Sequence, residues 1–186
     1  YDLGGGTFDV TLTQMGKGGD LESIVTRGDH LLGGKDWDER LCELIASKVS
    51  DDVGDVTPDD ERVIDGAAEG IKRKLSSMPS VTQNMFLSLG VVRVNVTRSE
   101  FEDATRDLID MTVDMCRSVL DEAGMKPSDL TDILLVGGST RMPQVSDALE
   151  RSFGIKPIKH VDPDKAVSLG AAIQVEKDNP KYVSLS

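Results

Sequence analysis

The stretch Val136-Gly137-Gly138-Ser139-Thr140-Arg141-Met142-Pro143 restricts the fold of this chain more than any other. An apolar run (Ile133, Leu134, Leu135, Val136) ends at it, and an amphipathic run (Val145, Ala148, Leu149, Phe153) begins after it. That change of period predicts a buried strand, a glycine turn and a helix. Paired glycines let a backbone approach a ligand closely and reach positive φ at little cost. Ser139 and Thr140 add hydroxyls, Arg141 a planar cation, and Pro143 suits the first turn of a helix. In open α/β folds such a turn at the carboxyl end of a sheet is where ligands bind. A plain helix entry would look the same on this stretch alone.

A second glycine cluster opens the chain. Asp2-Leu3-Gly4-Gly5-Gly6-Thr7-Phe8-Asp9-Val10 reads as a strand end, a turn and a second strand whose Phe8, Val10 and Leu12 share one face. Three adjacent glycines exceed what a hairpin turn needs, and their amides can form an anion-cradling nest. Thr7 can add a hydroxyl, while Asp2 and Asp9 flank the turn with carboxylates suited to a hard cation or its water. It is no dinucleotide fingerprint, because Asp9 stands where the third glycine should be and a strand follows. A flexible hairpin with two surface acids remains the alternative.

Between the clusters, residues 16–20 read as a turn and 21–27 as a strand; residues 31–34 form a glycine loop. A helix entered at Lys35-Asp36 carries Trp37, Leu41, Leu44, Ile45 and Val49 on one face. Residues 51–60, with Pro58, read as an acidic loop, and a helix over about 59–77 has Val63, Ala67, Ile71 and Leu75 at four-residue spacing. On that helix Glu69, Lys72, Arg73 and Ser76 share a face, either solvated and salt-bridged or turned to a ligand. Residues 81–89 and 91–96 predict a hairpin around Gly90. Ser99-Glu100-Phe101-Glu102 opens a single long helix through Phe101, Ala104, Leu108, Met111, Met115 and Val119 to Gly124, its methionines filling core. Asp162-Pro163-Asp164 caps a last helix over 166–175, and 178–186 reads as a tail.

The net charge of −12 argues against nucleic acid or an anionic membrane as partner, since both call for basic patches. It leaves room for a nucleotide pocket, which needs only a few local cations. Cys42 and Cys116 stand alone, and His30 and His160 have no Cys or second His at ligand spacing, so no zinc site, disulfide scaffold or Cys/His pair is indicated. With no long apolar span and no signal peptide, the expectation is a soluble cytoplasmic protein. Tyr1-Asp2-Leu3 reads as a strand already under way, so a fragment of a longer chain is expected.

With both glycine turns in view, the chain resembles the seventy-kilodalton heat-shock protein family of DnaK-type chaperones. The residues that carry this are Asp2-Leu3-Gly4-Gly5-Gly6-Thr7-Phe8-Asp9-Val10, Leu32-Gly33-Gly34, Glu69 with Lys72-Arg73 and Leu75-Ser76-Ser77, Leu135-Val136-Gly137-Gly138-Ser139-Thr140-Arg141, and Asp162-Pro163-Asp164-Lys165-Ala166-Val167. The resemblance implies that Gly4, Gly5, Gly6 and Thr7 hold the β- and γ-phosphates of ATP or ADP. Asp2, together with Thr7 in the catalytic role, would act near the attacking water or the metal's water shell. Asp2 and Asp9 would be the metal-side residues, for Mg²⁺ or a monovalent cation such as K⁺. Gly34, Glu69, Lys72, Arg73 and Ser76 would line the ribose and adenine side, Arg73 and Arg141 sandwiching the base. Gly137, Gly138 and Ser139 would face the nucleoside, and Asp164 would reach it through water. Many relatives read Thr-His-Leu-Gly-Gly-Glu-Asp-Phe-Asp where this chain has His30-Leu31-Leu32-Gly33-Gly34-Lys35-Asp36-Trp37-Asp38, so Lys35 replaces a glutamate.

The fold so implied is α/β, an actin/hexokinase-like ATPase lobe with a five-stranded mixed sheet packed by helices. Residues 1–30 and 100–178 would form the core, 31–99 an inserted smaller α/β subdomain, and 179–186 the tail. Only the second lobe of the family's ATPase domain is matched. The first lobe and the peptide-binding domain of the parent chain would be partners, along with a nucleotide exchange factor, a J-domain co-chaperone and unfolded polypeptides. The fragment alone is expected to turn over little ATP. Two other readings are an actin-like filament ATPase and a non-enzymatic docking module for an exchange factor.

Overall fold

The computed structural model describes residues 1–16 and 21–158. Most of the turn expected at 16–20 lies outside them, as do His160, Asp164, the helix expected at 166–175 and the tail. The described elements run β1 (Asp2–Leu3), β2 (Phe8–Met15), β3 (Leu21–Asp29), α1 (Gly34–Val53), α2 (Pro58–Leu75), β4 (Ser80–Leu87), β5 (Gly90–Thr97), α3 (Arg98–Ala104), α4 (Arg106–Glu122) and α5 (Pro143–Phe153).

One sheet has the order β1-β2-β3, all antiparallel, with Asp2 opposite Asp9 and Leu3 opposite Phe8. Phe8, Val10 and Leu12 are buried, as their alternation predicts. Beyond β1 the sheet turns parallel. The Leu3 amide donates to the Val136 carbonyl at 3.0 Å, and the Val136 amide to the Tyr1 carbonyl at 2.9 Å. Ile158 continues the pattern against Leu134, its amide 2.8 Å from the Ile133 carbonyl. The sheet is therefore mixed, but residues 133–136 make isolated bridges rather than the buried strand the apolar run predicts. Their partner β1 is only two residues long, and Leu134 is 47% exposed while Leu135 is buried.

A second, two-stranded sheet is the hairpin β4–β5, in register from Ser80 opposite Thr97 to Leu87 opposite Gly90. α1 and α2 pack against each other and on this hairpin. On α1, Trp37, Leu41, Ile45 and Val49 are buried, and Leu44 is half-buried. On α2 the buried face is Ile64, Ala68, Ile71 and Leu75, while Val63 is 41% exposed. The predicted stripe was thus one residue out of phase in its first half. Pro58 belongs to the helix as its first residue, and Thr57 caps it: the Asp60 amide donates to the Thr57 hydroxyl at 3.3 Å.

The single helix expected over 99–124 is two. Thr105 interrupts it at φ −117, ψ 14, fully buried, its hydroxyl donating to the Phe101 carbonyl at 2.8 Å and paired with the Gln144 side chain. That local bond competes with the helical ladder. The cap of α3 is Thr97, two residues before the expected Ser99, with Glu100 completing the box. On α4, Ile109, Thr112, Val113 and Cys116 take the inner face and Met111 is 49% exposed, so that methionine is not core filler. α4 stops in a Schellman turn, with the Gly124 amide on the Asp121 carbonyl and the Met125 amide on the Leu120 carbonyl.

Two carboxylates tie these pieces together. Asp60 accepts from the Thr57 hydroxyl at 2.7 Å and from the amide and hydroxyl of Ser88 at 2.6 and 2.7 Å, joining the start of α2 to the β4–β5 turn. These bonds, the Thr57 hydroxyl first, hold its carboxyl well below the usual range. Glu100 is held at about 2 by Lys48 and by the Thr97 amide and hydroxyl. Both groups bind protons more weakly folded than unfolded, so their stabilisation is present above the unfolded carboxylate values, roughly pH 4, and is lost as pH falls toward 2. The raised carboxyls Asp2, Asp38 and Glu102 act in the opposite sense. An Asp60→Asn/Glu100→Gln double variant should therefore show a shallower loss of denaturant midpoint between about pH 4.5 and pH 2 than the parent. Equal slopes would refute the assignment.

Candidate functional site

Three glycine turns, far apart in sequence, meet at one knot. The carbonyl of Gly4 accepts from the Gly34 amide at 2.9 Å and from the Ser139 hydroxyl at 2.9 Å. The Lys35 amide reaches the Gly5 carbonyl at 2.9 Å, and the Gly4 amide closes the turn on the Thr7 carbonyl at 3.0 Å. Of the strand–turn–helix expected at 136–143, the helix α5 is present, the strand is reduced to isolated bridges, and the turn is a 3-10 segment, Gly138–Arg141. Thr140 is buried in it and bonds back to the Gly137 carbonyl at 2.7 Å.

Beside this knot lies a cavity of about 1300 Å³ between α1, α2, the first glycine turn and the 138–141 turn. It collects most of the residues singled out from the sequence. Gly5, Gly34, Glu69, Lys72, Arg73, Ser76, Gly138, Ser139 and Arg141 all stand on its wall. Gly4, Gly6, Thr7 and Gly137 belong to the turns that frame it without lining it. Asp2 and Asp9 sit behind the first turn, opposite each other across β1 and β2. Burial raises the Asp2 carboxyl, opposed by the amino group of Tyr1 and reinforced by Asp9.

The shared face of Glu69, Lys72, Arg73 and Ser76 divides on folding. Glu69 and Arg73 form an exposed pair at 2.7 Å, the solvated salt bridge that their spacing allows. Lys72 is buried, its ammonium 2.6 Å from the Gly34 carbonyl and 2.8 Å from Asp38 Oδ2. Asp38 was not anticipated, nor were Lys35, Glu39, Cys42, Asp65 and Met142 on the same wall. The signal existed: Gly34, Asp38, Cys42 and Ala46 recur at four-residue spacing and so share the α1 face that Gly34 turns to the cavity. Burial and then Asp65, Asp38 and Glu39 push the Cys42 thiol up to about 11, which favours its protonated form. His30 is exposed.

The two glycines at the cavity's edge test what the site is built for. Gly5 and Gly6 have ordinary φ, and a Cβ on either would meet nothing within 4 Å. Among the described residues neither positive φ nor packing calls for glycine there, whereas an anion seated against bare amides would. Among the described residues no group of three or more His, Cys, Asp or Glu could hold a metal by itself. Asp2 and Asp9 suit Mg²⁺ of the kind held by one or two carboxylates and completed by phosphate oxygens and water. No helix among the described residues is long and apolar enough to cross a membrane.

The family model described as Hsp70 protein matches residues 1–183. The chain is 40% identical over 177 residues to a protein of Variovorax paradoxus (strain S110) named Chaperone protein HscA homolog, covering 95% of this chain and 28% of that protein. It thus spans little more than a quarter of that relative's length. A family match running almost end to end, with 40% identity to that relative over 95% of the chain, places this chain in the Hsp70 family.

Proposed function

We propose that these residues form the nucleotide-binding half-site of an ATP-dependent chaperone, supplying one wall of the pocket for ATP or ADP. The observation that carries this reading is the pair Gly5 and Gly6, two glycines for which neither positive φ nor packing among the described residues gives a reason, and which bare amides facing an anion would explain. The amides of that turn and the Thr7 hydroxyl would hold the phosphates, with Mg²⁺ on the side of Asp2 and Asp9. Mg²⁺ would offset the phosphate charge, and Asp2 would orient a water near it. Gly34, Glu69, Lys72, Ser76, Gly137, Gly138 and Ser139 would bound the nucleoside, with Arg73 and Arg141 on the two faces of the base.

In the parent protein, nucleotide binding and hydrolysis would drive the capture and release of unfolded polypeptides, with a J-domain co-chaperone and an exchange factor as partners. The layer of α1, α2, β4 and β5 would be the smaller outer subdomain, residues 31–99, offered to that exchange factor. The proposed half-site would reach the phosphates from one side, so we expect binding without appreciable turnover, because phosphoryl transfer needs charge stabilisation around the whole group.

The test is calorimetric titration of MgADP and MgATP into the chain and two variants. Gly5→Ala should keep or raise stability, by about 0.5 kcal/mol through the unfolded state, yet lose nucleotide binding. Arg73→Ala/Arg141→Ala should weaken binding by more than about tenfold, from two lost stacking contacts of roughly 1 kcal/mol each. Wild-type affinity in Gly5→Ala would sink the reading.

A further inference from the structure

Lys72 is only 8% exposed, and an ammonium that far from water depends on its partners. It has the Gly34 carbonyl at 2.6 Å and Asp38 Oδ2 at 2.8 Å; its third hydrogen has no acceptor among the described residues, and the side chain lines the cavity. Asp38, also on the wall, is bonded through that one oxygen, while its Oδ1 is buried with no hydrogen-bond partner among the described residues. One buried carboxylate oxygen of Asp38 is thus left unbonded, which does not favour stability and points to another role for the pair.

We propose that Asp38 is a positioning residue for the nucleoside side of the cavity, acting through Lys72. It holds the ammonium against the Gly34 carbonyl with one N–H left for the ligand. Two other acids, Asp65 and Glu69, lie on the helix of Lys72 and line the same cavity. Once the Asp38 charge is gone, the flexible lysine stem is free to turn toward them. The Gly34 carbonyl then loses its cation, in the residue whose amide grips Gly4 of the first glycine turn. The fold survives such a change, while the ligand site is weakened.

This inference rests on the nucleotide reading, and one experiment separates the two. MgADP is titrated calorimetrically into the unaltered chain, Asp38→Asn, Asp38→Glu, Lys72→Met and the Asp38→Asn/Lys72→Met double variant, well below every melting temperature. Asp38→Asn, the closest isostere, should bind about tenfold more weakly, as fits a charged hydrogen bond, whereas Asp38→Glu should stay within about threefold. A packing role would give the reverse order, Asn being tolerated and Glu not. The double variant should bind like Lys72→Met alone, because Asp38 acts only through the lysine. Wild-type affinity in Asp38→Asn, or losses that add in the double variant, would overturn the role of Asp38 and leave the nucleotide reading standing. If the unaltered chain takes up no ADP, both fall.

Discussion

Gly33→Ala is expected to abolish nucleotide binding and to lower stability by about 3 kcal/mol, in the range of severe overpacking. Gly33 has φ −167, extended backbone open to any residue, so conformation is not the reason. Space is. A Cβ there would lie 2.5 Å from both the Cα and the carbonyl carbon of Gly6 and 2.6 Å from its nitrogen. These are backbone atoms, which cannot rotate away as a side chain could. Relief requires the first glycine turn to move off α1, and that motion breaks the bonds from the Gly34 and Lys35 amides to the Gly4 and Gly5 carbonyls. The turn proposed to hold phosphate then loses its platform. Denaturant melts beside MgADP titration measure both effects. A variant that binds ADP as tightly as the parent would show that the turn has slack absent from this structure.

Gly137→Ala should cost as much or more, chiefly in folding. Gly137 sits at φ 86 and ψ 144, a region nearly closed to L side chains and worth about 1–3 kcal/mol in strain. An added Cβ would also lie 2.4 Å from the Leu3 carbonyl oxygen and 2.7 Å from Asp2 Oδ1. The strand β1 is held at this point by the bond from the Leu3 amide to Val136, so strain and clash act on the one seam that joins the antiparallel and parallel parts of the sheet. Loss of cooperative unfolding, or a drop in stability above about 4 kcal/mol, is the expected result. A drop under 1 kcal/mol would mean that the seam relaxes freely.

Much of this was legible before folding. The helices α1 and α2 and the hairpin β4–β5 follow from period and punctuation, which act over neighbouring residues. The glycine turns were legible for the same reason, since a run such as Gly4-Gly5-Gly6 has few other uses. The errors share a cause. Thr105 looks like a tolerable helix residue until its hydroxyl meets Gln144. Val63 fits a strict four-residue spacing, whereas the buried Ile64, Ala68, Ile71 and Leu75 follow the i, i+4, i+7, i+11 stripe of a 3.6-residue helix that packs on α1 and β4. Residues 133–136 read as a strand, but a strand is completed by its neighbour, and β1 offers only two residues.

The sequence by itself determined the chemistry available: a triple-glycine turn between two aspartates, a Gly-Gly-Ser-Thr-Arg turn, and cations at helical spacing, because residue type and short spacing are local properties. Tertiary structure alone decided how that chemistry is shared out. It sent Lys72 inward to Asp38 and left Arg73 outside with Glu69, pressed Gly33 against Gly6, and gave Gly4 one carbonyl with two distant donors. Each of these depends on which remote surface the chain finds when it packs, and no periodicity within a helix or turn carries that information.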